Sequence, residues 1–235
     1  MTDPITPRRQ EETADTDAVG RSVDSVLLYR AVQAPVWSIS SPETPGEASG
    51  TTVTRTDTDT MSTAAVHVFA RQSEGSWSES TILRGSQVSK GGNFGASLVA
   101  SSSRLLVSAP KHEGGAVVAF QRDGETWSEI QTLSMGALSN NAQFGHSLQW
   151  AGSNQVLVGA PRAYDATGVA YHFSYDADAE QWRRTNRLLP FDGSSRHLFG
   201  ASLAYDGTDL WVGAPGAQNQ TGALYRFQRD DDAWT

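Results

Sequence analysis

An all-β chain assembled from repeated four-stranded units is the fold that this sequence predicts, and three observations carry the prediction. The pattern Phe-Gly-x-Ser-Leu occurs three times, at Phe94–Leu98, Phe144–Leu148 and Phe199–Leu203. Each copy is followed by an Ala-Pro (109–110, 160–161, 214–215), and then by a glycine-led run ending in Phe (115–120, 168–173, 222–227). A Trp closes each round, at 127, 182 and 234. Between these marks lie short β-rich segments broken by Gly, Ser, Asn and Asp, with no helical period.

Each element has a physical reason. The segment Ser97-Leu98-Val99-Ala100 is small or aliphatic, as a strand crowded near an axis requires. Gly95 supplies a backbone conformation that a Cβ would hinder. Pro110, Pro161 and Pro215 each end a strand, because proline has no N–H to give the ladder. The Phe and Trp of each unit offer large apolar area between sheets. Trp127 is accordingly expected between units. A single sheet of this size has two faces and cannot bury both, but like units stacked around an axis cover one another. A β-propeller of four-stranded antiparallel blades is therefore expected, with about four blades in this chain and room for it to be part of a larger propeller.

Composition agrees and excludes other classes. The 235 residues carry 38% apolar and 19% charged side chains, 22 Gly and no Cys. Disulfide scaffolds, thiol nucleophiles and Cys-ligated zinc are ruled out. No apolar run reaches the roughly 18 residues of a membrane-spanning helix. A net charge of −8 argues against a nucleic-acid footprint. Residues 1–24 read as a disordered polar lead without a signal peptide, and 25–63 as a degenerate half-repeat and linker around Trp37. Residues 64–235 read as the repeats proper, with units near 64–84, 94–134, 144–189 and 199–235.

Phe-Gly, Gly-Ala-Pro and the following Gly-x-x-Tyr-x-Phe strand together resemble the FG-GAP repeat of integrin α-chain propellers, over about 64–235. They look closest to the calcium-loop-free version of bacterial and protist surface proteins. The resemblance implies a protein-interaction or adhesion module at the cell surface or outside it. It does not bring calcium. The loops that would hold it read Ser101-Ser102-Ser103, Gly152-Ser153-Asn154 and Asp206-Gly207-Thr208-Asp209, too few oxygen ligands for the ion.

The chemistry candidates reduce to structure. Asp176-x-Asp178-x-Glu180 lies in a turn that is acidic in every unit, as a solvated hairpin tip would be. His67, His112, His146, His172 and His197 show no metal-ligand spacing. Ser97, Ser147 and Ser202 recur once per unit and lack the glycines of a nucleophile elbow. Asn219-Gln220-Thr221 is an N-glycosylation triplet. No catalytic residue, metal or cofactor is expected, and the protein reads as a non-enzyme.

Binding is expected on loops, with its residues unidentified. The loops are those after Ala-Pro (111–114, 162–167, 216–221) and those between units (84–93, 134–143, 190–198). A protein partner is expected. The alternatives are a glycan, with Tyr164 stacking on a sugar face, or service as an accessory domain of a larger surface protein. Because the loops lack calcium ligands, a chelator is expected to leave the melting temperature unchanged. A fall of several degrees would contradict the reading.

Overall fold

The computed structural model describes residues 36–40, 52–57, 64–71, 77–136, 138–139, 141–230 and 233–235. They form sixteen strands in four antiparallel four-stranded sheets, each with its strands in chain order. The first sheet is β1 (Val36–Ser40), β2 (Thr52–Asp57), β3 (Ala65–Arg71) and β4 (Trp77–Leu83). The second is β5 (Leu98–Ala100), β6 (Arg104–Ala109), β7 (Ala116–Asp123) and β8 (Thr126–Ser134). The third is β9 (Ser147–Trp150), β10 (Gln155–Ala160), β11 (Val169–Asp176) and β12 (Gln181–Leu188). The fourth is β13 (Ser202–Tyr205), β14 (Asp209–Ala214), β15 (Ala223–Asp230) and β16 (Ala233–Trp234). These sheets are propeller blades. First strands meet first strands along the stack, β5 touching β1 and β9, and β9 touching β13.

The segment 25–63 supplies two strands, half of a four-stranded blade. Thr52–Asp57 pairs with β3, and Val36–Ser40 pairs with Thr52–Asp57, so both complete the first blade. Trp37 thus stands on a first strand, whereas Trp77 stands on a fourth. The residues 1–24 and Val26–Tyr29 lie outside the described set.

Three apolar clusters fill the spaces between consecutive blades. The middle blades bury both faces, so their second and third strands read as nearly unbroken apolar runs. In β6, Leu105 and Val107 face the first blade and Leu106 the third. In β7, Val118 and Phe120 go one way while Val117 and Ala119 go the other. The Phe of each Phe-Gly is buried between blades, edge-on to third-strand aromatics. Phe144 meets Tyr171 at 5.8 Å and Phe173 at 6.0 Å, and Phe199 meets Tyr225 at 5.2 Å.

A bulge in the outer strand pair recurs in the first three blades, at Val68/Phe69, Ala119/Phe120 and His172/Phe173. It resolves a conflict in the sequence. Trp127 and Leu133, like Trp182 and Leu188, are six residues apart, which in a regular strand puts both on one face. The extra residue reverses the parity. Trp182 joins the cluster behind its blade and Leu188 the cluster ahead. Trp127 packs, as expected, on the cluster between the first and second blades, but it is only half-buried, with the Arg122 guanidinium 6.0 Å from its ring centre. Trp182 is 3% exposed.

The blades are joined at their glycines. Gly115 and Gly168, which lead β7 and β11, lie against the backbone of the next Phe-Gly. A Cβ at Gly115 would fall 2.1 Å from Phe144 O, and one at Gly168 would fall 2.1 Å from Phe199 O. Beside them the Phe144 amide donates to Gly114 O (2.9 Å) and the Phe199 amide to Thr167 O (3.0 Å). Gly222, which leads β15, has no such neighbour among the described residues; its nearest atom would be Pro215 Cα at 3.7 Å.

Two stability results are expected. Gly168 and Gly222 share a positive φ of 88° and 87°, so replacement by Ala strains both alike and only the first meets a neighbouring backbone. In urea unfolding, Gly168→Ala should cost about 1–3 kcal/mol more than Gly222→Ala; equal losses would contradict the close approach. Trp182→Ala should cost about 3–5 kcal/mol and Trp127→Ala distinctly less. The reverse order would contradict the bulge's assignment of faces.

Candidate functional site

The two sets of loops singled out in the sequence lie at the same end of the blades and are bonded into one rim. The residue after each Ala-Pro donates its amide to the loop that enters its blade. Lys111 N reaches Gly92 O (3.0 Å), Arg162 N reaches Ala142 O (3.1 Å) and Gly216 N reaches His197 O (3.0 Å). The loops entering the third and fourth blades are also tied to the blade before, through the Phe144 and Phe199 amides. Side chains of very different type thus stand on a fixed frame.

In the third and fourth blades the post-Ala-Pro loop winds into a left-handed turn. Tyr164, Asp165 and Ala166 have φ of 51°, 54° and 62°, and Gln218, Asn219 and Gln220 have 50°, 58° and 71°. Each such non-glycine residue costs roughly 1–2 kcal/mol. Backbone bonds hold the turns. Gly168 N donates to Ala163 O and Gly222 N to Ala217 O, both at 3.0 Å. The first turn also accepts from the neighbouring loop, Arg196 N to Asp165 O (3.2 Å) and Leu198 N to Ala166 O (2.9 Å).

Between these turns a cleft of about 490 Å³ opens, lined by Arg162, Ala166, Arg196, Leu198, Pro215, Gly216 and Gln220. Tyr164 stands beside it, 48% exposed, its hydroxyl 3.3 Å from that of Tyr171 and its ring 5.9 Å from the Arg187 guanidinium. The bond to Tyr171 and the nearby Arg187 and Arg184 hold the Tyr164 hydroxyl below its ordinary pKa, while burial pushes Tyr171 up. The loop carrying Arg196 is anchored from below. Tyr225 OH donates to Asp192 Oδ1 (2.5 Å), and the Tyr225 ring packs on Phe191 at 5.4 Å. Burial first, then the Asp192 carboxylate, push the Tyr225 hydroxyl up to about 12.

Cations gather at the rim, although Glu113, Asp165 and Asp192 stand there too. Both lysines of the chain, Lys90 and Lys111, stand on the rim with Arg162 and Arg196. Asp123, Glu125, Asp178 and Glu180 stand at or beside the hairpin turns at the opposite end.

The remaining sequence candidates are scattered. Asp176 Oδ1 accepts the amides of Asp178 and Ala179, both at 3.1 Å, which caps the β11–β12 hairpin. Its other oxygen lies 3.4 Å from Arg183 Nε. His67 pairs with Glu79 (2.6 Å), His112 with Ser89 (3.0 Å) and His172 with Thr185 (2.9 Å), each in a different place. His197 Nδ1 accepts the Ser194 amide at 3.4 Å. Among the described residues no three His, Asp or Glu come together as metal ligands. Ser147 Oγ donates to Gly200 O across the blade interface (2.7 Å), and the Ser97 amide donates to Ser108 Oγ (2.9 Å). Asn219 lies exposed in the second left-handed turn. What the sequence did not show is that Arg162 and Arg196, 34 positions apart (196 − 162) on two different loops, share one cleft.

The FG-GAP repeat family matches residues 182–227. That stretch begins at Trp182 on the last strand of the third blade and runs to Phe227 in the fourth. The repeating unit of sequence therefore straddles two blades, with the Phe-Gly corner inside it. Mouse integrin alpha-M is 29% identical over 139 residues, 52% of this chain and 12% of its own length. Mouse integrin alpha-X is 28% identical over 137 residues, with the same shares. The stretch 182–227 is an FG-GAP repeat. The chain spans about an eighth of the length of these curated relatives. Among solved structures, the crystal structure of TolB from Acinetobacter baumannii covers 78% of this chain and 39% of its own, at 13% identity and a TM-score of 0.42. That likeness is too distant to bear on the site.

The Tyr225–Asp192 anchor sets an alkaline limit. A hydroxyl whose folded pKa is raised from 10 to about 12 gives stability that is complete below pH 10 and is lost as pH rises through 12. Tyr225→Phe is expected to flatten the fall in stability over that window relative to the parent chain. An unchanged slope would contradict the anchor.

Proposed function

We propose that this FG-GAP repeat chain is a non-enzymatic protein-interaction module of adhesion type, working at a cell surface and engaging its partner through the rim. The observation that carries the reading is the stitched rim itself. Loops of unlike content are fixed to one another by backbone bonds, so a partner meets a surface whose ordering has already been done by folding. The integrin relatives support the same class. The recurrent serines, the one residue type that recurs in a catalytic-looking way, are used by the frame: Ser147 ties two blades together. The glycan alternative has less to draw on. At the turn position of Tyr164 the fourth blade places Gln218, and the second blade's shorter loop reads Lys111-His112-Glu113.

The test is adhesion of beads carrying the full chain to cells, with a rim variant and an opposite-end variant. The rim variant combines Lys90→Ser, Lys111→Ser, Tyr164→Ser and Gln218→Ser, all exposed positions. The other combines Asp123→Ser, Asp178→Ser and Glu180→Ser. Adhesion is expected to be lost with the rim variant and retained with the other, and trypsin treatment of the cells should abolish it. Loss only with the opposite-end variant would overturn the rim reading. Sensitivity to glycosidases without sensitivity to trypsin would replace the protein partner with a glycan.

A further inference from the structure

We infer that the cleft between the third and fourth blades is a carboxylate site, in which Arg162 and Arg196 together take an acidic side chain of a protein partner. The inference rests on the rim reading and gives that surface a chemistry.

Four observations converge on it. First, the described arginines of the strands are in use elsewhere. Arg183 lies against Asp176 (3.4 Å) and Arg226 against Asp209 (2.6 Å). Arg104 sits 3.8 Å over the Tyr175 ring and bonds Asn154, and Arg229 bonds Gln155 (2.7 Å). Arg184 and Arg187 face Tyr171 and Tyr164. Arg162 and Arg196 have no carboxylate within ion-pair distance among the described residues, and both are exposed.

Second, their backbones are fixed by the bonds of Arg162 N to Ala142 O and Arg196 N to Asp165 O. Binding therefore orders two side chains and no loop. Third, Ala166, Leu198 and Pro215 line the same cleft and can cover the methylene stem of an entering side chain, while Gln220 adds an amide. Fourth, the carboxylates of the two loops leave the site free. Asp192 is held by the Tyr225 hydroxyl, and Asp165 pairs with neither arginine.

Two guanidinium forks lining one cleft suit a planar carboxylate, which each can grip through paired N–H donors. The net charge of −8 repels acidic ligands at large, so any that binds does so at a local positive site.

The test is fluorescence anisotropy of a dye-labelled hexaglutamate peptide with the full chain at 0.15 M salt, and hexaglutamine as the uncharged control. Saturable binding of hexaglutamate alone is expected. Arg162→Gln and Arg196→Gln should each weaken it by about tenfold or more, and Arg196→Lys by less. Arg183→Gln, an exposed cation beside the hairpin turns at the opposite end, should change it by less than about twofold, since an exposed and screened charge contributes little. Circular dichroism confirms that each variant keeps its fold. Absence of binding, or equal loss with Arg183→Gln, would overturn the assignment. Equal competition by inorganic phosphate at the peptide's own concentration would overturn it too, because the site would then take free anions. If the peptide result fails while the beads still adhere through the rim, the cleft falls and the rim reading stands.

Discussion

The approach of one blade's glycine to the backbone of the next blade's Phe-Gly corner is the constraint on which the rest of the structure depends. Gly115 and Gly168 have no room for a Cβ because Phe144 and Phe199 occupy that space with main-chain atoms. The same corner sends its ring into the space between the blades, where Phe144 and Phe199 are completely buried. Close backbone approach and aromatic burial thus occur at one point, and each sheet covers a face that its neighbour could not leave bare. In the fourth blade no described corner takes that place. Gly222 is open, and Leu224, equivalent to the buried Val117 and Ala170, is 65% exposed.

The rim follows from that joint. An incoming loop must deliver its Phe-Gly to a fixed place, so its last residues are bonded to the blade behind while its earlier carbonyls take the amides that follow Ala-Pro. Both ends of the variable segments are therefore clamped whatever their content. Left-handed turns at 164–166 and 218–220, unfavourable for ordinary residues, persist because these bonds over-determine them. Positive charge at this end and acidic tips at the other give the module a polarity that its net charge conceals.

Much of the fold was legible in the residues. Phe-Gly, Ala-Pro, the leading glycine and the Trp mark the four strands, and β6, β10 and β14 end where proline removes a donor, at Ala109, Ala160 and Ala214. The first blade was only partly visible. Its first two strands carry no Phe-Gly or Ala-Pro, and Thr52–Asp57 is polar and threonine-rich, so only its pairing with β3 reveals it. The bulge was hidden for another reason. It inserts a residue without a signature side chain (Ser80, Ile130 or Thr185), so the spacing of Trp182 and Leu188 suggests one face when they serve two. At the site, the sequence pointed to the correct loops because their contents differ on a constant frame. It could not pair Arg162 with Arg196, since that depends on which turn faces which across a blade interface.

The central claim concerns the joint, and native-state hydrogen exchange reads it directly. The Phe144 and Phe199 amides, bonded to Gly114 O and Thr167 O, should exchange only when the stack opens. Their protection should then match that of the most protected strand amides in β7 and β11. If both exchanged as fast as the amides of exposed loop tips such as Gly124, the blades would not be held together at the Phe-Gly corner, and the account would be wrong.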